Sequence, residues 1–285
     1  MPDPSFVLPL ILHSVVIPFA AALAALFILR KAGAGALASA LAVAIGFLAS
    51  YFAVYHTQWA FPPRQALDWL PWIVVLSVAG AAVSERVAHA GSRLFVRLLV
   101  SIVTVALVAW PAMASAGLPK TALTIAVAGA LTCAAWTYLA GAARSRHTPA
   151  LLLTVVAGGA GLVMMIDSSQ LLGQLSGALA VTFAACAAGR LGRPDGAFSA
   201  TAAGVAVLLL GALLANAFIF AGFSAGYVAL LASGLLADLL VQAMRRRRAA
   251  ASGAGPSLIA VALSAIPVLV TVGIAIKAAQ DSGGY

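Results

Sequence analysis

Long apolar runs separated by short basic segments constrain this chain more than any other feature. Thirteen of its sixteen Lys and Arg residues fall in five clusters: Arg30 and Lys31; Arg86, Arg93 and Arg97; Arg144 and Arg146; Arg190 and Arg193; and Arg245 to Arg248. Most runs between gaps approach the length a helix needs to cross a bilayer, about 20 residues. Hydrophobic residues make up 64% of the 285 residues and charged residues 8%, against roughly a quarter charged in globular chains. Lipid and other apolar helices must therefore solvate most side chains. The fold class is all-α, a polytopic integral membrane helical bundle forming one domain over residues 1–285.

Ten spans are expected, over Phe6–Leu29, Ala36–Tyr55, Trp69–Val83, Leu94–Trp110, Thr121–Ala142, Ala150–Ile166, Leu171–Ala188, Ala197–Phe220, Tyr227–Met244 and Ser257–Ile276. The five basic clusters occupy alternate gaps, and the other face receives only Arg64, Lys120 and Lys277. Because cytoplasmic loops collect Lys and Arg, this alternation predicts both termini outside, N-out and C-out. One missed or invented span would scramble every later gap. An even helix number also permits two inverted five-helix halves, residues 1–146 and 147–285, as in many secondary transporters.

A net charge of +9 on a soluble protein would suggest nucleic-acid binding, but here the cations flank apolar runs, so no nucleic-acid partner is expected. The lipid bilayer is the expected partner, with anionic lipid at Arg245, Arg246, Arg247 and Arg248. The amino-terminal run lacks a basic region before it and reads as a retained helix. Cys133 and Cys186 both lie within apolar runs, which gives no disulfide framework or zinc site; no metal or cofactor is expected. The Ala, Gly and Arg bias fits a bacterial inner membrane.

Polar residues inside the runs are the functional candidates, since ionisable groups cost energy in hydrocarbon. Asp238 shares a helix face with Gln242 and Arg245. His13 lies between Pro9 and Pro18, and Pro18 in an α-helix frees the carbonyl of Ser14. Pro267 likewise frees that of Leu263, so the first and last spans both carry a midplane proline. Asn216 completes the candidate intramembrane polar site of His13, Ser14, Asn216 and Asp238.

Other features have structural readings. Gly158, Gly159, Gly161, Gly173 and Gly177 form small-residue faces for close helix approach, with Gln174 as interhelical glue. Asp167 to Gln170 reads as a helix cap, with Asp167 at the N-cap. Between His56 and Trp69, Pro63 begins a short helix on which Arg64 and Asp68 pair at i,i+4. Tyr51, Tyr55, Trp72 and Trp110 mark the outer headgroup layer, Trp136 and Tyr138 the inner one.

Gly222-Phe-Ser-Ala-Gly226 matches the G-x-S-x-G string of serine hydrolases, but it joins two apolar runs rather than a strand and a helix. It reads as a turn, and no catalytic residue is expected. The functional expectation is a small secondary transporter or permease-like protein; the alternative is a non-transporting membrane scaffold or accessory subunit.

Overall fold

A computed structural model describes residues 4–113, 117–143, 148–189, 198–247 and 255–281. Every regular element among them is helical: α1 (Pro4–Ile11), a π-helical turn (Leu12–Val16), α2 (Ile17–Lys31), α3 (Leu37–Tyr55), α4 (Leu70–Arg86), α5 (Ala90–Ala109), α6 (Leu118–Ala143), α7 (Thr148–Asp167), α8 (Gln170–Ala188), α9 (Ala200–Phe220), α10 (Ala225–Leu235), α11 (Ala237–Arg247) and α12 (Gly255–Asp281), with 3₁₀ turns at Ala66–Trp69 and Trp110–Ala112. Among the described residues, nine stretches are long and apolar enough to cross a membrane, and the bent pair α10–α11 makes up to ten. The chain is a multi-pass membrane protein.

α9 is the hub, packing on α3, α4, α5, α6, α7 and α8. It is also the most deeply enclosed span, consistent with its lack of any charged residue. α7 and α8 share the most extensive helix–helix contact among the described residues and are joined by a hairpin of two residues. Glycine makes that approach possible: a methyl group added at Gly161 would come within 2.9 Å of the Gly173 carbonyl and the Gly177 nitrogen. Ser176 donates across the same seam to the Ala157 carbonyl at 2.9 Å. α12 packs on α7, where Gly159 makes room for Val268.

Contacts distant in sequence join the Arg30–Ser39 segment to the end of α8 and the start of α9. Arg30 donates to the carbonyl of Gly189 at the end of α8, 2.8 Å away. Ser39 near the start of α3 donates to the Ser199 hydroxyl at 3.0 Å, and Ser199 in turn donates to the Ala36 carbonyl and caps α9 by accepting from Ala202. Arg93 bonds the Val87 carbonyl just beyond α4. These arginines satisfy carbonyls that helix ends leave open, so topology signals double as caps.

Local readings at two turns change. The cap of α8 is Ser169, whose hydroxyl accepts from the Leu172 N–H, whereas Asp167 closes α7 and is exposed. Continuing α7 through Asp167 leaves Ser169 as the first residue in extended conformation, the geometry a cap requires. Residues 63–69 form a 3₁₀ turn from Ala66 rather than a helix from Pro63. Asp68 is buried there, its carboxylate accepting from the backbone N–H groups of Arg64 and Gln65 at 2.9 Å each and from the Tyr55 hydroxyl at 3.2 Å. The tighter turn aims those two N–H groups at Asp68, so the carboxylate meets the backbone of residue 64. Trp59 and Tyr51 add bonds to the carbonyls of Asp68 and Leu67, making this connection a rigid aromatic cap.

Candidate functional site

The sequence-derived polar residues occupy separate places. His13 and Ser14 lie in the π-helical turn, against α3 and α8. Here the proline argument shifts by one residue. In a π-turn each N–H reaches five residues back, so the carbonyl left open by Pro18 is that of His13, not Ser14. The Ser50 hydroxyl of α3 donates to it at 2.7 Å. Ser14 is buried and its own hydroxyl meets no partner among the described residues. Asn216 is buried in the C-terminal half of α9, its amide nitrogen also without a partner among the described residues. At the other proline, α12 runs unbroken through Pro267, whose carbonyl accepts from Thr271 at 2.7 Å.

Asp238 is 4% exposed and stands at a helix break that sequence periodicity did not reveal. The ninth span is two helices bent by 40° around Leu236. α10 has 11 residues, so at 1.5 Å per residue the break lies about 16 Å along the span, near its middle. Asp238 falls in the first turn of α11, where the helix dipole favours a carboxylate. Gln242 donates to it at 2.6 Å, one turn along as expected, and the Tyr138 hydroxyl of α6 donates at 3.4 Å. The side chains of Arg245 to Arg248 lie outside the described residues, as do Arg144, Arg146, Arg190 and Arg193.

Beside this break the bundle opens. α10 packs on α7 and α12 but swings away from α6 and α9, leaving a groove of about 880 Å³. Leu123, Val127 and Leu131 of α6 form one wall, Leu210, Leu214 and Phe218 of α9 the back, and Val228, Leu236 and Leu239 the other wall. Leu131 is 62% exposed, so the groove opens sideways, toward lipid. Of the hydroxyls along it, Thr124, Thr132 and Ser233 each bond a carbonyl of their own helix. Only Tyr138, at the end nearest Asp238, directs its hydroxyl to another helix.

The helix ends also move a charge. Arg97 was grouped with the basic cluster at the start of the fourth span, but α5 begins at Ala90, four residues before that span, and carries Arg97 two turns into the bundle. It is 4% exposed. Its guanidinium pairs with Glu85 at 2.8 Å, donates to the Ser84 hydroxyl at 2.9 Å, and stacks 5.5 Å from the centre of the Trp136 ring on α6. The sequence signal was present but ambiguous: Arg86, Arg93 and Arg97 read equally well as one loop cluster. Glu85, the chain's only glutamate, was the unused clue.

Ser224 is the N-cap of α10, its hydroxyl accepting from the Gly226 N–H at 3.2 Å, and Gly222 supplies the left-handed turn at φ +70°. Among the described residues no three His, Cys, Asp or Glu side chains gather closely enough to hold a metal. No protein-family model matches the chain, and comparison with curated proteins and with solved structures returns no match either.

Proposed function

We propose that this protein is a permease-like secondary transporter whose solute is apolar or amphipathic and enters the α6–α9–α10 groove sideways from the membrane. The groove carries this reading. Its volume of about 880 Å³ falls within the roughly 300–1,000 Å³ of small-molecule sites. Its walls offer hydrocarbon contact, and its one interhelical polar contact, Tyr138 with Asp238, lies at one end. A solute bound there would lie with its apolar body along α6 and its polar end toward Asp238. A discontinuous span at the wall is the feature from which many transporters build their substrate sites.

In this reading the chain has ten spans with both termini outside, in a bacterial inner membrane, and Ser224 serves as a helix cap and not a nucleophile. The inverted halves gain no support from packing: α12 lies along α7, while its counterpart α6 makes no comparable contact with α1 or α2 among the described residues.

The test is binding and flux in liposomes reconstituted with the full chain, using diazirine-bearing C16 amine and C16 acid as probes. Crosslinks on α6 and α10 and time-dependent movement of one probe are expected, with at least a tenfold loss in Leu131→Trp. Labelling indifferent to Leu131→Trp, or crosslinks confined to other helices, would remove the groove from consideration.

The alternative, a non-transporting scaffold or accessory subunit, is favoured by one observation: the Arg97–Glu85 pair is spent on joining α4, α5 and α6. Specific crosslinking without flux of either probe would select it.

A further inference from the structure

We infer that the seam between α4 and α5 binds a file of water molecules, running from the Glu85–Arg97 pair to the level of Thr104. This inference does not depend on the groove. The two helices are antiparallel, and two contacts set their register: Ser84 with Arg97, and Gly80 with Val100, where an added methyl would come within 2.7 Å. Continuing that register brings Ser77 level with Thr104. On α5, Arg97, Ser101 and Thr104 stand at i, i+4 and i+7 and so share one face.

The seam therefore collects Ser77, Ser101 and Thr104, all 0% exposed. None of their hydroxyls meets a partner among the described residues, and neither does the indole N–H of Trp136, the ring beneath the Arg97 guanidinium. Nothing obliges a helical hydroxyl to remain unbonded. Six threonines elsewhere in the bundle, Thr121, Thr124, Thr132, Thr154, Thr182 and Thr271, each donate to the carbonyl four residues back at 2.6 to 3.0 Å. Thr104 does not make that bond. A buried hydroxyl without a partner is costly, whereas a buried water satisfies two to four such groups at once.

Three orphan hydroxyls beside an intramembrane ion pair are thus accounted for together by water entering past Glu85, the more exposed partner of that pair, while the Trp136 indole N–H faces Gly204 of α9 instead. Leu70, Ile73, Val105 and Val108, all 0% exposed, close the seam beyond Thr104. The file is blind. It brings water to the ion pair and toward mid-membrane from the basic end, without crossing the bundle.

Water-edited solid-state NMR on the full chain in nanodiscs, with labelled threonine and serine, reads this directly. Magnetisation from water is expected to reach Thr104 and Ser101 about as fast as it reaches surface residues. Thr182, buried and bonded to its own helix, is the dry control. Thr104→Val should lower the melting temperature by a few degrees and slow the transfer to Ser101. Transfer to Thr104 no faster than to Thr182 overturns the proposal whichever way the melting temperature moves, and a higher melting temperature for Thr104→Val marks a dry orphan and overturns it as well.

Discussion

The Ser50 hydroxyl lies 2.7 Å from the carbonyl oxygen of His13 and donates to it, closing the gap that Pro18 leaves in the first span. The π-helical turn and the serine on α3 form one device: the wider turn assigns the missing donor to His13, and α3 supplies the replacement.

Ser50→Ala should therefore destabilise the protein by about 1 to 2 kcal/mol, the cost of stranding a buried carbonyl. In a Pro18→Ala background the same change should cost less than half as much, because residue 18 regains its N–H. Thermal unfolding of the two single variants and the double variant in one detergent measures the coupling; additive effects would contradict the shared role.

Arg97→Ala takes from Glu85 and Ser84 the guanidinium that both contact. A loss of about 3 to 5 kcal/mol is expected, as for breaking a buried pair from one side. Arg97→Met with Glu85→Gln should recover more than half of it, because the apolar stem is retained and no buried charge is left over. Denaturant titration of the single and double variants tests this; a double variant as unstable as Arg97→Ala would show that the guanidinium acts through Trp136 alone.

Two glycines of one seam should behave oppositely. A methyl at Gly161 meets backbone atoms of α8 at 2.9 Å, which cannot retreat as a side-chain tip can, whereas a methyl at Gly177 meets nothing within 4 Å. Gly161→Ala should destabilise by about 1 to 3 kcal/mol. Gly177→Ala should be neutral or slightly stabilising, since alanine favours the helix. Melting temperatures in the same membrane mimetic provide the comparison.

Asp68 holds the 56–69 connection through two backbone N–H groups and the Tyr55 hydroxyl. Asp68→Ala should release it at a cost of about 1 to 3 kcal/mol. Limited proteolysis in intact proteoliposomes should then cleave near Phe61, which is already exposed, several times faster than in the parent, with the spans untouched. Unchanged cleavage would assign the rigidity to Trp59 and Tyr51 instead.

Much of the architecture was legible before any contact was known. Apolar runs of span length and basic gaps in alternation predict a multi-pass helical bundle, because backbone groups in hydrocarbon must be satisfied within the segment and charged groups resist entering it. The small-residue reading of Gly161 and Gly173, the i,i+4 pairing of Asp238 with Gln242, and the narrow hairpin after α7 are local in origin and reappear in the fold.

Tertiary structure decided what those local signals left open. Arg97 read as one more member of a basic cluster, and its burial rests on Glu85, Ser84 and Trp136, brought in by other helices. The break at Leu236 lies within an apolar stretch with no proline, and its effect depends on α10 following α7 and α12 away from α9. The groove exists because two helices part, a relation between elements far apart in the chain. Hydropathy measures how a residue partitions between water and lipid, and so determined which segments cross the membrane; the partners each polar group meets inside it depend on contacts across the chain, which only the folded bundle supplies.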